Sequence, residues 1–340
     1  MEKRTLAGTT VRPVGLGCMN LSHGYSNFPT AQEGARLLQH ALDAGVDHFD
    51  TATLYGGGRN EELLGSALLG RRDEYFLASK CGLAMVNGRG ATDGRPATIK
   101  AQAEASLRKL NTDRIDLYYL HRLDRSVPVE DSVGALAELV AEGKIGGIGL
   151  SEVSAATLRR AHAVHPVAAV QNEYSLWTRN PELGLSQACR ELGTTLVAFS
   201  PLARAFLTGK LADPAALPKG DMRHHMPRFN ADNYPRNLEL LAGFSAIAGR
   251  LGTTPAALAI AWVLAQGDHI VAIPGTTRKE HLDENLTAED VVLDAATLAE
   301  LDALINHGTV HGPRYSPAQQ AAIDTETFPD ETFPDETSQA

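Results

Sequence analysis

Short runs rich in Val, Ile, Leu, Phe and Tyr alternate with longer stretches whose apolar positions recur every three to four residues, and the alternation holds from residue 46 to 276. A repeated switch between strand-like and helix-like periods marks βα units laid over a parallel sheet. Strands are predicted over residues 14–19, 46–51, 75–80, 114–121, 145–151, 168–172, 196–200 and 270–274. The helical stretches carry boundary signals of their own. Thr30 and Glu33 form a capping-box pair ahead of a periodic segment that stops at Gly45, Asn60 and Ser154 stand as N-caps, and Pro128 and Pro181 fall in first turns. Residues 255–266 read as a helix that is apolar almost all round.

Eight strands each followed by a helix close naturally into a (β/α)8 barrel, whereas an open doubly wound sheet usually has fewer strands and a break in their order. The predicted fold is therefore an α/β TIM barrel. Residues 5–13 read as a hairpin around Gly8-Thr9-Thr10 able to plug its N-terminal end, and residues 294–305 as an extra C-terminal helix. The loop of residues 203–236, after the seventh strand, is long for a βα connection, and such loops in compact domains usually carry function or disorder.

The chain of 340 residues is 43% hydrophobic and 21% charged, the make-up of an ordinary globular protein. Length alone would allow two domains, but the periodicity argues for one, over residues 1–315. Residues 316–340 differ in kind: Thr327-Phe-Pro-Asp-Glu331 repeats as Thr332-Phe-Pro-Asp-Glu336, and no core-forming period is present. This acidic tail is expected to be disordered. Of the formal net charge of −10, six negatives lie beyond Arg314, so the body is nearly balanced. Net negative charge repels nucleic-acid phosphates and anionic lipid, and no apolar run is long enough to span a bilayer. Cys18, Cys81 and Cys189 are far apart and lack a C-x-x-C spacing, which suits reduced thiols in a cytoplasmic protein.

In a barrel the chemistry sits at the C-terminal ends of the strands. Asp50, Lys80, His121, Ser151, the pair Gln171-Asn172, and Ser200 each close a predicted strand. Alone, any of these is more often a solvated or structural residue; together, at matched depth on consecutive strands, they form a candidate site.

The motifs around these residues resemble those of the aldo-keto reductases. Phe49-Asp-Thr-Ala52, Tyr55-Gly56, Asn60-Glu-Glu-Leu-Leu-Gly65, Ser79-Lys80-Cys81, Asp116-Leu-Tyr-Tyr-Leu-His121, Glu142-Gly-Lys-Ile-Gly146, Gly149-Leu-Ser151 and Ile273-Pro-Gly-Thr276 occur in that family's order. Leu150-Ser-Glu152, residues 171–178 and Arg228-Phe229 are most similar to the branch of auxin-induced-type and perakine-reductase-like enzymes. The resemblance implies a catalytic tetrad of Asp50, Tyr55, Lys80 and His121 and an NADPH/NADP+ cofactor used to reduce a small carbonyl substrate without a metal. Hydride addition leaves an alkoxide, so a proton donor must stand beside the oxygen, and a phenol with a pKa near about 10 needs a neighbouring cation such as Lys80 to help it. Asp50 would hold the ammonium, and His121 would orient the carbonyl oxygen.

The same resemblance assigns Ser151, Gln171 and Asn172 to the nicotinamide carboxamide and Phe199 to its ring. Ser200, Pro201 and Leu202, with Arg204 and Lys210, would hold the pyrophosphate. Gly275, Thr276 and Arg278 would surround the adenosine 2′-phosphate, with Glu284 and Asn285 beside the adenine. Two positions depart from the pattern: Glu152 stands where many members have Asn, and Gly275 replaces a common Lys. Trp177, Tyr25 and Phe28 are candidate apolar walls of the substrate site.

Gly15-Leu-Gly17-Cys-Met-Asn20 lacks the third glycine of a Rossmann fingerprint. His162 with His165, His224 with His225, and His307 with His311 have no convergent carboxylate or thiol set, so no metal site is expected. The competing reading is a cofactor-binding regulatory subunit with the same fold and little turnover, against which the intact tetrad argues.

Overall fold

Parallel strands buried on both faces need no polar alternation, and the strand segments here are buried along almost their whole length. The computed structural model describes residues 1–86 and 89–331. After an antiparallel hairpin, β1 (Arg4–Leu6) and β2 (Thr9–Val11), the chain enters β3 (Leu16–Gly17), β4 (His48–Asp50) and β5 (Phe76–Cys81). A second hairpin, β6 (Leu83–Val86) and β7 (Arg89–Thr92), interrupts the series and was not expected. The series resumes with β8 (Leu117–Leu120), β9 (Ile148–Ser151), β10 (Val167–Glu173), β11 (Thr195–Phe199) and β12 (Ile270–Ala272). The eight strands β3, β4, β5, β8, β9, β10, β11 and β12 pair in that order, all parallel. Parallel bridges from Val14 to Ala272 and from Gly17 to Gly275 join the first strand to the last. The sheet closes, as a (β/α)8 barrel must.

The barrel interior is filled by every second strand residue: Phe76 and Ala78, Leu117 and Tyr119, Ala169, Val197, Val271 and Ile273 form one buried cluster. Leu6 and Val11 of the hairpin belong to it, and Thr195 donates its hydroxyl to the carbonyl of Thr5, so the hairpin plugs the N-terminal end as expected. Two glycines make room in this interior. A Cβ at Gly149 would stand 2.2 Å from the Tyr119 ring, and one at Gly15 would stand 2.2 Å from His48.

The outer layer comprises α1 (Ala31–Asp43), α2 (Arg59–Ala67), α3 (Pro96–Lys109), α4 (Val129–Ala141), α5 (Ala155–Val164), α6 (Leu185–Leu192), α7 (Tyr234–Arg250), α8 (Pro255–Ala265) and α9 (Lys279–Leu286). The extra helix α10 (Ala295–Leu304) packs on α7, and a short α11 (Pro317–Gln320) follows. Thr30 and Glu33 form the expected capping box, and Ser154 accepts from the Thr157 amide. Apolar all round, α8 is buried all round, packed against β12, α7 and α9. Three readings change. Pro128 is the N-cap of α4 rather than a first-turn residue. Asn60 lies inside α2, whose cap is Gly58, and its buried amide donates to the Cys18 carbonyl and the Ser22 hydroxyl. Pro181 belongs to a separate short 3-10 turn ahead of α6.

The expectation of a disordered tail over residues 316–340 is corrected for residues 316–331. One oxygen of Asp324 accepts from the Ser154 amide at 3.3 Å, the Ser154 hydroxyl at 3.1 Å and the Thr157 hydroxyl at 2.6 Å, while Glu326 accepts from the Ala155 amide at 2.7 Å. These carboxylates sit on the N-terminus of α5, where unpaired amides and the helix dipole favour negative charge. Phe328 stacks on His307 with ring centroids 3.6 Å apart, and buried Glu331 accepts from Asn180 at 2.6 Å. Acidic composition resembles that of a solvated chain, but the acids here have specific donors waiting on the barrel. The second copy of the repeat lies outside the described residues.

Candidate active site

Because side chains alternate along a strand, the inward row that fills the barrel continues upward into its C-terminal mouth. Ala78 is followed two residues on by Lys80, Tyr119 by His121, Ala169 by Gln171, Val197 by Phe199 and Ile273 by Gly275. This row opens into a cavity of about 450 Å³ lined at its base by Asp50, Tyr55, His121, Ser151 and Gln171. Phe199, Ser200, Pro201, Leu202, Gly275 and Thr276 line the side formed by β11 and β12, with Arg204, Lys210, Glu284 and Asn285 further out. The same alternation corrects one assignment. Asn172 is one residue out of phase with Gln171, and its amide donates to the Val153 carbonyl at 3.2 Å, outside the cavity.

Lys80, 0% exposed, donates from Nζ to Asp50, to the Thr51 carbonyl at 2.8 Å and to the Tyr55 hydroxyl at 3.2 Å. The other oxygen of Asp50 accepts from the Gln171 amide at 2.7 Å, so the carboxylate is held on both sides. Tyr55 comes from the loop after β4, carried inward by Gly56, Gly57 and Gly58, all at positive φ. A Cβ at Gly56 would stand 2.9 Å from Ser22, so this turn needs glycine for space as well as for conformation.

Burial is the largest influence on each group. Burial pushes the Tyr55 phenol above its ordinary value, and Lys80 offsets this only in part. For Lys80, burial alone would lower the ammonium, but Asp50 and the Tyr55 oxygen outweigh it and hold the group charged. His121 is held well below its usual range by burial together with Arg122 and Lys80, so its imidazole is neutral. Its ring stands edge-on to Tyr55 at 5.7 Å, and its Nδ1 is buried without a partner among the described residues.

The outer part of the cavity tests the expected cofactor residues. Ser200, Ala203, Arg204 and Ala205 all have positive φ, between 49° and 77°, in one short turn after β11. Such a run of non-glycine residues is strained and is the kind of backbone retained at ligand sites. Gly275 explains its own departure from the Lys pattern: a Cβ there would stand 2.5 Å from the Asn20 amide oxygen and 3.0 Å from the Gly17 carbonyl. The close approach of β3 to the segment after β12 therefore leaves little room for a side chain unless the Asn20 amide turns aside. Lys210 reaches Glu284 at 3.2 Å across the outer cavity.

Two cations differ from expectation. Arg204 lines the cavity, bonded at Nη2 to Glu173 at 2.8 Å and to the Tyr315 hydroxyl at 3.1 Å, while its Nε has no partner among the described residues, so its charge is shared with Glu173 rather than wholly free. Arg278 is exposed at the N-cap of α9, outside the cavity lining, with its backbone amide donating to the Thr276 hydroxyl at 3.1 Å. Glu152 points away from the cavity and pairs with Arg314 at 2.7 Å, at a positive φ of 55°.

Sequence reasoning missed the buried ionic cluster that results. Glu152, Glu173, Arg204, Arg314 and Tyr315 are all nearly inaccessible and join the ends of β9 and β10 to the loop after β11 and to the C-terminal segment. Burial alone would raise the Glu173 carboxyl, but Arg204, Arg314 and Arg228 overcome it and hold it down at about 2. Of the apolar walls, Tyr25 lines the cavity, whereas Trp177 is buried against Phe206 at 4.0 Å, outside its lining. Phe28 belongs to a neighbouring open depression beside Gly56 and Gly57. Among the described residues no group of three or more His, Cys, Asp or Glu side chains could hold a metal.

A barrel with ionisable groups at the mouth of its strands defines the general class of enzyme-like TIM barrels. The sequence pattern of the aldo/keto reductase family matches residues 13–306, and the chain belongs to that family. It is 42% identical over 334 residues to an NADP(+)-named aldo-keto reductase of Schizosaccharomyces pombe, covering 96% of this chain and 98% of that one. Among solved structures it is similar to a glycerol dehydrogenase from Gluconobacter oxydans, at 29% identity and a TM-score of 0.84 over 93% of this chain and 98% of the other. An aldo/keto reductase from Klebsiella pneumoniae in complex with NADP and acetate matches at 28% identity and a TM-score of 0.71, over 93% and 99% of the two chains.

Proposed function

We propose that the protein is an NADP(H)-dependent oxidoreductase that reduces aldehydes or ketones to alcohols, with Tyr55 as general acid. The observation that carries this reading is the buried triad of Asp50, Lys80 and Tyr55, with the phenol oxygen 3.2 Å from the ammonium and the ring edge-on to a neutral His121. The cofactor assignment draws on the NADP named for the S. pombe and Klebsiella relatives, and on residues of this chain that suit it. Ser151, Gln171 and Phe199 would hold the nicotinamide, the strained turn from Ser200 to Ala205 the pyrophosphate, and Thr276 with Arg278 the 2′-phosphate.

The nicotinamide supplies hydride when bound. The chain's own residues do the rest. Neutral His121 accommodates the carbonyl oxygen, and Tyr55 gives that oxygen its proton. Lys80 stabilises the phenolate left behind, and Asp50, braced by Gln171, keeps the ammonium in line. The three cysteines are free and buried, which supports a reducing compartment such as the cytoplasm.

Steady-state loss of NADPH absorbance against a panel of aldehydes, ketones and diketones tests the reading. Turnover that disappears in Tyr55→Phe supports it. Tight cofactor binding with no turnover on any member would favour the regulatory-subunit reading instead.

A further inference from the structure

The charges around the cavity do not balance. Lys80 is paired with Asp50, Arg204 with Glu173, Lys210 with Glu284 and Arg223 with Asp221. Arg122 also lines the cavity, one residue after His121, and among the described residues no carboxylate lies within ion-pair distance of it. One nitrogen, Nη1, donates to the His121 carbonyl at 2.6 Å and to the Ser151 hydroxyl at 3.2 Å. Those two contacts fix the guanidinium beside two residues at the base of the cavity and supply no negative charge. His121 is neutral, so the base carries one uncompensated positive charge close to the reacting centre.

We propose that Arg122 is a specificity-determining residue that selects carbonyl substrates bearing a carboxylate near the reacting carbon, the class of oxo acids and acidic aldehydes. A guanidinium offers a planar fork of donors that matches a carboxylate, and a half-buried one gains more from that match than a surface group does. Asp50, the carboxylate at the same end of the cavity, is neutralised by Lys80 and bonded to Gln171, so it does not oppose an acidic substrate.

The proposal rests on the carbonyl-reductase reading, and the test separates the two. With saturating NADPH, kcat/KM is measured for matched acid and ester pairs, phenylglyoxylate with its methyl ester and 4-carboxybenzaldehyde with methyl 4-formylbenzoate. In parallel, benzoate and benzamide binding to the cofactor-loaded protein is measured by calorimetry, which needs no turnover. The expected result is a preference for the acid in at least one pair, a fall of about 10–100-fold in the acid-to-ester ratio in Arg122→Met, and partial recovery in Arg122→Lys. Benzoate binding should weaken in step. Reduction of the esters with no acid preference, or an acid-to-ester ratio unchanged in Arg122→Met, overturns the proposal and leaves the reductase reading standing. Weaker NADPH binding in Arg122→Met with an unchanged ratio assigns the guanidinium to the cofactor and also overturns it. Benzoate binding that depends on Arg122 in a protein that reduces nothing would support the anion site while removing the reductase reading.

Discussion

The ammonium of Lys80 stands 3.2 Å from the phenol oxygen of Tyr55 in a position closed to solvent, with Asp50 on its other side. The proposed role of this phenol as proton donor, coupled to a buried cation, has one measurable consequence in each partner. Tyr55→Phe removes the donor and keeps the ring in place, so kcat for reduction should fall by about 10²–10⁴ while NADPH binding is retained. Retention of more than about a tenth of kcat near neutral pH would remove Tyr55 from the proton-transfer role.

In the proposed mechanism alcohol oxidation requires the phenolate, so its rate falls as pH drops through the Tyr55 pKa. Burial raises that pKa and Lys80 opposes the rise. Lys80→Met should therefore move the acidic limb of the oxidation profile to higher pH as well as slowing the reaction. An acidic limb left in place would show that the cation does not act on the phenol.

The Asp50–Lys80 pair also bears on stability. Removing one partner of a buried pair costs about 3–5 kcal/mol, because the other charge is left uncompensated. Lys80→Met should be more destabilised in chemical denaturation than the double variant Asp50→Asn/Lys80→Met. Equal stabilities would mean that the orphaned carboxylate is relieved some other way.

Glu173 makes the acid limit of stability predictable. Three arginines hold its folded-state pKa down at about 2, below the unfolded carboxyl value near about 4.3. A carboxyl lowered on folding stabilises the protein above the unfolded value, and that contribution is lost as pH falls from there toward the folded one. The melting temperature should drop over this window more steeply in the wild type than in Glu173→Gln, which should start lower at neutral pH because Arg204 and Arg314 lose their shared acceptor. Parallel curves would show that the cluster is not linked to folding.

The docking of residues 316–331, in place of the disorder expected of them, makes the effect of removing the tail predictable. Deleting residues 317–340 takes Asp324 and Glu326 off the start of α5 and Glu331 away from Asn180. Since about 1 kcal/mol shifts the melting point of a domain of 150 to 250 residues by roughly 2–4 °C, a drop of several degrees is expected on loss of these charge-assisted bonds. An unchanged melting point would show that the contacts contribute no net stability.

The proposed role of Arg278 in cofactor choice can be tested directly. Exposed beside Thr276, it is free to meet a 2′-phosphate as a bidentate donor, and Arg278→Ala should raise KM for NADPH by roughly 10–150-fold with little effect on NADH. Equal weakening for both cofactors would show that this segment does not read the phosphate.

Much of this protein is local in origin and was therefore legible in the order of its residues. A strand period of two decides which residues face inward, so Asp50, Lys80, His121 and Gln171 could be recognised as one depth of one barrel before any contact was known. The capping box at Thr30 and the all-apolar α8 are local in the same sense. Only the tertiary structure decided the rest, because the deciding partner is remote in sequence. Arg204 is drawn to Glu173, Glu152 to Arg314 and the tail carboxylate of Asp324 to Ser154, pairs separated by 31, 162 and 170 residues. Composition assigns such charges to solvent; closure of the barrel places their partners within reach, and burial then makes an unpaired charge too costly to leave. The crowding at Gly275 belongs to the same group, since closure of the barrel brings the Asn20 amide and the Gly17 carbonyl against it.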